Sequence, residues 1–324
     1  MKEECAQTNL YTYGVSRDVS VVIPTYRSPQ TLQRLVERIR ASSWFTSDSE
    51  IVLVDDGNLD STWRVIRELA RHNRQVHGIR LGRNSGQHAA LLAGVRQAKK
   101  SIIVTLDDDL QNPPEEVPHV LAALTDDVDV VYGLPKQAKQ SAWRNISSVT
   151  SKWLMRYTLG FLRATEISPF RAFRTNLRDS FDRDLGPGVS LDAVLNWATT
   201  RFGSVEVRHD SRADGQSNYN FRKLLRFMLD TATGYSTVPL RLATSLGLAT
   251  VTLSLGVLLW VLGRPLLTGE SVPGFPFLAA TIAIFSGVQL IVLGVLGQYI
   301  GRMHFRVMNK PTYTIADRTD RISE

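Results

Sequence analysis

The chain has 324 residues, 38 Lys and Arg against 31 Asp and Glu, a formal net charge of +7 at pH 7 and an isoelectric point near 9.6. That length gives a sizeable core, in one large domain or two smaller ones. The cationic balance points to an acidic partner (nucleic acid, a phosphorylated substrate, an anionic membrane) or to solubility alone. One cysteine, Cys5, excludes an internal disulfide and a cysteine-rich metal site.

Residues 1–18 have no apolar core, so no secretory signal is expected there, only an N-terminal extension. Val19–Ile23 reads as a strand stopped by Pro24, and Pro29–Ala41 as a helix. Glu50–Val54 is a second strand, ended by Asp55-Asp56-Gly57, and Asp60-Ser61-Thr62 carries side-chain oxygens suited to capping the next helix. Val76–Leu81, Ser85–Gln97 and Ser101–Leu106 continue as strand, helix and strand. Short apolar strands alternating with amphipathic helices predict an α/β domain with a mostly parallel sheet covered on both faces.

The polar clusters follow the strands: Asp55-Asp56, Arg83-Asn84 and Asp107 to Gln111. Each alone is ordinary turn chemistry. Together they sit beyond the carboxyl ends of parallel strands, where ligands bind in open sheets. If the segment after the fourth strand is extended, Asp107, Asp109 and Gln111 face one way and Asp108 the other. Two carboxylates and an amide oxygen make a hard, all-oxygen site for Mg²⁺ or Mn²⁺, completed by water or substrate phosphates.

Residues 19–216 are read as one α/β domain carrying these clusters. Residues 217–239 mix apolar side chains with Arg222, Lys223 and Arg226, as in a helix lying at an anionic membrane surface or an ordinary packing helix. Two spans are read at about 240–263 and 275–301; the stretches 242–263 and 273–301 are uncharged and long enough to cross a bilayer, although a buried helical hairpin has a similar composition. Cations flank both outer ends, so the positive-inside rule places the α/β domain and the tail, 303–324, on the cytoplasmic side of a cell inner membrane. Gly297-x-x-x-Gly301 permits close helix contact, a weak signal. The basic residues concentrate near the spans without a nucleic-acid reader motif, so no nucleic acid is expected as partner.

"VVIPTY", "IVLVDDGNLDST", "LGRNSGQHAALLAGV" and "VTLDDDLQNPPEEVP" resemble the ordered motifs of family 2 glycosyltransferases with the GT-A fold. "STVPLRL" and "GVLGQYIGR" narrow the resemblance to the polyprenyl-phosphate glycosyltransferases. It runs from about Val19 to Ile315. The resemblance implies a sugar moved with inversion from a nucleotide-diphosphate sugar, with uridine the first choice of base, to a polyprenyl phosphate such as undecaprenyl phosphate. It implies Pro24, Tyr26, Asp55 and Asp56 at the nucleotide, with Arg83, Gly86, Gln87 and Asp108 beside the donor. It implies Asp107 and Asp109, helped by Gln111, on the metal, and Arg171, Arg212, Ser217 and Tyr219 at the phosphates. A homo-oligomer, a tetramer in some relatives, is a further implication.

Three departures bear on donor identity: Arg27-Ser28 where the family has Asn-Glu, Pro169 where many relatives have Asp, and Asn218 where they have Lys. A processive polysaccharide synthase is the rival enzyme, but the chain lacks the Gln-x-x-Arg-Trp motif of that class. A catalytically silent scaffold is the rival outside enzymology.

Overall fold

The computed structural model describes residues 18–57, 60–136, 167–181, 189–210, 238–268, 274–308 and 311–320. The predicted strands and helices form in order: β1 (Val19–Thr25), α1 (Pro29–Ala41), β2 (Glu50–Asp55), α2 (Thr62–His72), β3 (Val76–Leu81), α3 (Gln87–Gln97) and β4 (Ile102–Thr105). After a single 3-10 turn at Pro114–Glu116 come α4 (Val117–Ala122), β5 (Val130–Pro135), β6 (Arg171–Arg174), α5 (Leu191–Ala198) and β7 (Phe202–Val207). Two long helices, α6 (Val238–Thr268) and α7 (Gly274–Val307), precede a last strand, β8 (Ile315–Arg318).

The eight strands form one sheet in the order β7-β5-β6-β4-β1-β2-β3-β8. Its centre, β4-β1-β2-β3, is parallel, and β6 and β8 run antiparallel to their neighbours. Alternation along β1 assigns its two faces. Val19, Val21 and Ile23 join the cluster built with Leu32, Leu35 and Ile39 of α1 and Trp63 and Ile66 of α2. Val22 faces α3 on the other side, where an added Cβ at Gly94 would run into it. Leu32, Leu35 and Ile39 are fully buried at helical spacing, each contributing about 1.5–3 kcal/mol by leaving water. The parallel sheet covered on both faces is thus as expected.

Pro24 does not stop β1. It pairs in register with Val54, and the ladder runs on through Thr25, whose carbonyl accepts from the Asp56 amide at 3.2 Å. A parallel strand alternates which residues donate to each neighbour, so one missing N–H is absorbed.

The chain divides into two compact units: 1–149 with 163–218 and 309–324, and 150–162 with 219–308. The first holds the sheet. The second contains α6 and α7, whose segments Pro239–Val257 and Ile284–Gly301 are long and apolar enough to cross a membrane. Almost none of their residues is covered by protein, which argues against a hairpin buried in a soluble core. The described part of the tail beyond α7, residues 311–320, is not a free extension. It returns to the first unit, where β8 pairs with β3; Trp63 Nε1 donates to Asp317 at 3.2 Å and the Gly78 amide to Thr319 Oγ1 at 2.9 Å.

Candidate functional site

The carboxyl ends of β1, β2, β3 and β4 converge on a cleft of about 350 Å³. Pro24, Thr25 and Tyr26 form one wall, with Tyr26 half exposed. Arg27 adopts φ +56° and lays its guanidinium 5.3 Å from the Tyr26 ring centre. Asp56, Asn84, Gly86 and Gln87 form the second wall, and Asp107, Asp108 and Asp109 the third.

The acid segment is not extended. Leu110 sits at φ +62°, a left-handed conformation uncommon for a leucine, and the backbone turns from Asp108 onward. This corrects the alternation expected from the sequence. Asp108 lines the same cleft as Asp107 and Asp109, whereas Gln111 is not among the lining residues. The period-2 rule fails because it holds only while the strand lasts, and β4 ends at Thr105.

Each carboxylate has its own support. Asp107 Oδ1 accepts from Gln87 Nε2 at 2.7 Å. Asp108 Oδ2 accepts from the Tyr26 amide at 3.2 Å and from the Ser28 hydroxyl. Asp109 Oδ1 accepts from the Gln111 amide at 3.1 Å. Ser28 therefore does more than remove an acid: it donates to Asp108, where a glutamate would set two carboxylates against each other. Burial, then repulsion from Asp109, push Asp107 up to about 6. Burial also raises Asp108, against the opposing pull of Ser28 and Tyr26.

Asp55 and Asp56 behave differently from a simple nucleotide contact. Asp55 is wholly buried behind the cleft, its Oδ2 3.5 Å from Arg80 Nε. Asp56, only 4 % exposed, accepts from the Ser85 amide at 2.7 Å and the Gly86 amide at 2.9 Å. It ties down the turn that starts α3. Burial raises its pKa despite those two amides. Gly57, at φ +67°, lets that loop touch the next one, because an added Cβ would overlap the Arg83 backbone. Arg83 itself is exposed and lies outside the lining.

Arg171 is not presented as a phosphate clamp. It is 2 % exposed, ion-paired with Asp192, and donates from Nε to Thr105 Oγ1 at 3.1 Å. The reason lies in the ladder: β6 pairs with β4, so Arg171 stands opposite Thr105 and points into the layer beneath the cleft. Asp192 and Tyr132, which donates to it at 2.9 Å, were not singled out from the sequence. The available signal was a lone acid in the apolar helical run "LDAVLNWA" after the Ser190 cap. It reads equally as an ordinary first-turn aspartate. Arg212, Ser217, Tyr219 and all of the 217–239 segment before residue 238 lie outside the described residues. The strand leading to them is placed, however: the Asp210 amide donates to the Gln111 carbonyl at 2.8 Å and His209 contacts Asn112 at 3.2 Å.

Among the described residues no three acidic, imidazole or thiol side chains converge closely enough to enclose a metal unaided. The donor set still fits one. Three carboxylates share a cleft, and burial raises the pKa values of two of them, Asp107 and Asp108. A hard divalent cation completed by phosphate oxygens suits that set.

The profile of glycosyl transferase family 2 matches residues 20–202, and the chain belongs to that family. It is 34 % identical over 309 residues, 94 % of each chain, to the undecaprenyl-phosphate 4-deoxy-4-formamido-L-arabinose transferase of Proteus mirabilis. To the Aeromonas hydrophila protein of the same name it is 34 % identical over 303 residues, 92 % of each. Among solved structures, a mannosyltransferase from Pyrobaculum calidifontis in complex with GDP-Man and Mn²⁺ superposes with a TM-score of 0.50 at 15 % identity, over 92 % of this chain and 93 % of that one. Glucosyl-3-phosphoglycerate synthase from Mycobacterium tuberculosis, with Mn²⁺, UDP and glucosyl-3-phosphoglycerate, gives 0.51 at 17 % identity, over 69 % and 80 %. These two share the fold, the GT-A type expected from the motifs.

Proposed function

We propose that the chain is a membrane-bound, inverting transferase. It moves a sugar from a nucleoside-diphosphate sugar, a UDP-sugar by first choice, to a polyprenyl phosphate, undecaprenyl phosphate in the first instance. The observation that carries the reading is the convergence of Asp107, Asp108 and Asp109 on one cleft at the carboxyl edge of the parallel sheet. The full-length similarity to undecaprenyl-phosphate transferases supports the acceptor class.

Asp107 and Asp109 are the residues to hold Mg²⁺ or Mn²⁺ on the donor diphosphate, with Gln87 orienting Asp107. When bound, the cation supplies charge neutralisation for the departing nucleoside diphosphate. Pro24 and Tyr26 offer an apolar wall and an exposed ring for the base. Asp108 braces that wall, and Asp56 acts by holding the Ser85–Gly86 turn. Arg212, Ser217 and Tyr219 serve the phosphates, the role the motif resemblance implies for them. An oxygen of the lipid phosphate attacks the anomeric carbon as the bond to the diphosphate breaks. No general base is needed, because a phosphate monoester has its second pKa near 6 and is mostly dianionic at pH 7. Positioning and charge neutralisation supply the acceleration.

The membrane explains the hairpin. Each buried methylene of a polyprenyl chain holds it in the bilayer by about 0.8 kcal/mol, so the enzyme goes to its acceptor. The return of β8 to the catalytic sheet supports both outer ends of the hairpin lying on one side, and the flanking cations make that side cytoplasmic.

The test incubates the purified full chain with Mn²⁺, undecaprenyl phosphate and a panel of nucleotide sugars, followed by mass analysis of the lipid fraction. One donor should yield a lipid-monophosphate sugar, lost in Asp109→Asn. No lipid-linked sugar from any donor, with folded protein, would contradict the reading.

A further inference from the structure

Beneath the acid turn lies a buried polar group that the reaction as described does not use. Arg171, opposite Thr105 in the ladder, pairs with Asp192 at the start of α5. Tyr132 from β5 donates its hydroxyl to the same Asp192 oxygen at 2.9 Å, and its ring lies 5.9 Å from the guanidinium. Thr105 accepts from Arg171 Nε and donates onward to the Pro169 carbonyl at 2.6 Å. Asp192 is 8 % exposed and Tyr132 5 %. Asp107 follows Thr105 by two residues, so the guanidinium that stands opposite Thr105 and donates to it is a near neighbour of that carboxylate, and its charge opposes the rise in the Asp107 pKa.

A buried guanidinium seeks an anion, and two are within electrostatic reach: Asp192 and Asp107. Were it to pair with Asp107, it would occupy the oxygens needed by a cation. We propose that Asp192, braced by Tyr132, is a positioning residue that holds Arg171 away from Asp107 and so keeps that carboxylate open to the metal. The inference rests on Asp107 being a metal ligand, as in the proposed function. It assigns Asp192 no role as a base: its carboxylate is covered by Arg171 and Tyr132, and the nucleophile needs none.

The experiment is a titration of the full chain in detergent with Mn²⁺ alone, reading free ion by electron paramagnetic resonance, with unfolding temperature as a control. Asp192→Asn leaves Arg171 without its carboxylate, and the Mn²⁺ dissociation constant should rise by about tenfold, the scale seen when outer partners of metal ligands are lost. The double variant Arg171→Met with Asp192→Asn removes the competitor as well and should restore wild-type affinity or better. Buried pairs replaced together are commonly tolerated by a fold. Tyr132→Phe, which keeps its packing, should raise the constant about threefold and carries the test if D192N does not fold. A merely structural role would lower the unfolding temperature with the Mn²⁺ constant unchanged, or make the double variant bind worse than D192N; either result overturns the inference. Wild-type protein that takes up no Mn²⁺ would overturn the metal reading itself, and this inference with it.

Discussion

On the proposed function, Asp107 is a residue that trades stability for metal binding. Its carboxylate, pushed up to about 6 from the ordinary aspartate value of 3.8, costs the folded state stability above that pH and is relieved as the pH falls toward 4. Asp107→Asn should therefore raise the unfolding temperature of metal-free protein by about 2–4 °C at pH 7.5, equivalent to about 1 kcal/mol after allowance for partial exposure. The advantage should shrink as the pH falls through 6 and vanish only below about pH 4, and transferase activity should be lost throughout. In the wild type, protons compete with the cation, so the Mn²⁺ concentration giving half activity should climb by about tenfold per pH unit below pH 6. Gly57 makes a second case. Gly57→Ala puts a side chain at φ +67° into the Arg83 backbone and displaces the loop carrying Gly86 and Gln87. Steady-state kinetics should show the donor KM raised by about tenfold, the consequence of roughly 1–3 kcal/mol of strain placed at the site. The identity of these residues was legible in the sequence, because acids after apolar strands stand out. Their facing was not, since the left-handed Leu110 breaks the alternation. Nor was the engagement of Asp56 with backbone amides or of Arg171 with Asp192, both of which depend on neighbours distant in the chain.

At the scale of elements, β8 is the main addition to what the sequence conveys. The central strands are long apolar runs and were readable from their pattern. The segment "IADR" is four residues with one apolar side chain that matters, and nothing local distinguishes it from a tail. It becomes a strand only because β3 offers an edge, Gly78 an amide and Trp63 an indole N–H. β6, four residues with an arginine at each end, is no more distinct in the sequence. Asp317→Ala should lower the unfolding temperature by about 2–4 °C, the loss of roughly 1 kcal/mol in one hydrogen bond, measured by thermal denaturation in detergent. Truncation after residue 310 bares the β3 edge and should lead to aggregation during purification. If the truncated chain stays monodisperse with unchanged unfolding temperature, β8 is ornamental.

For the whole molecule, a catalytic sheet is left by the chain for two apolar helices and rejoined by it afterwards. That route makes topology testable with thiol chemistry. The sole native cysteine, Cys5, should resist a membrane-impermeant maleimide in right-side-out vesicles, whereas Ser271→Cys in a Cys5→Ser background should react. Labelling of Cys5 in sealed right-side-out vesicles would reverse the assigned orientation. The central claim, that Asp107 and Asp109 hold a divalent cation on a donor diphosphate, is tested most directly by anomalous diffraction from crystals grown with Mn²⁺ and UDP. The account predicts a manganese peak bridging those two carboxylates and the diphosphate oxygens. A diphosphate bound with its manganese away from both side chains would contradict it.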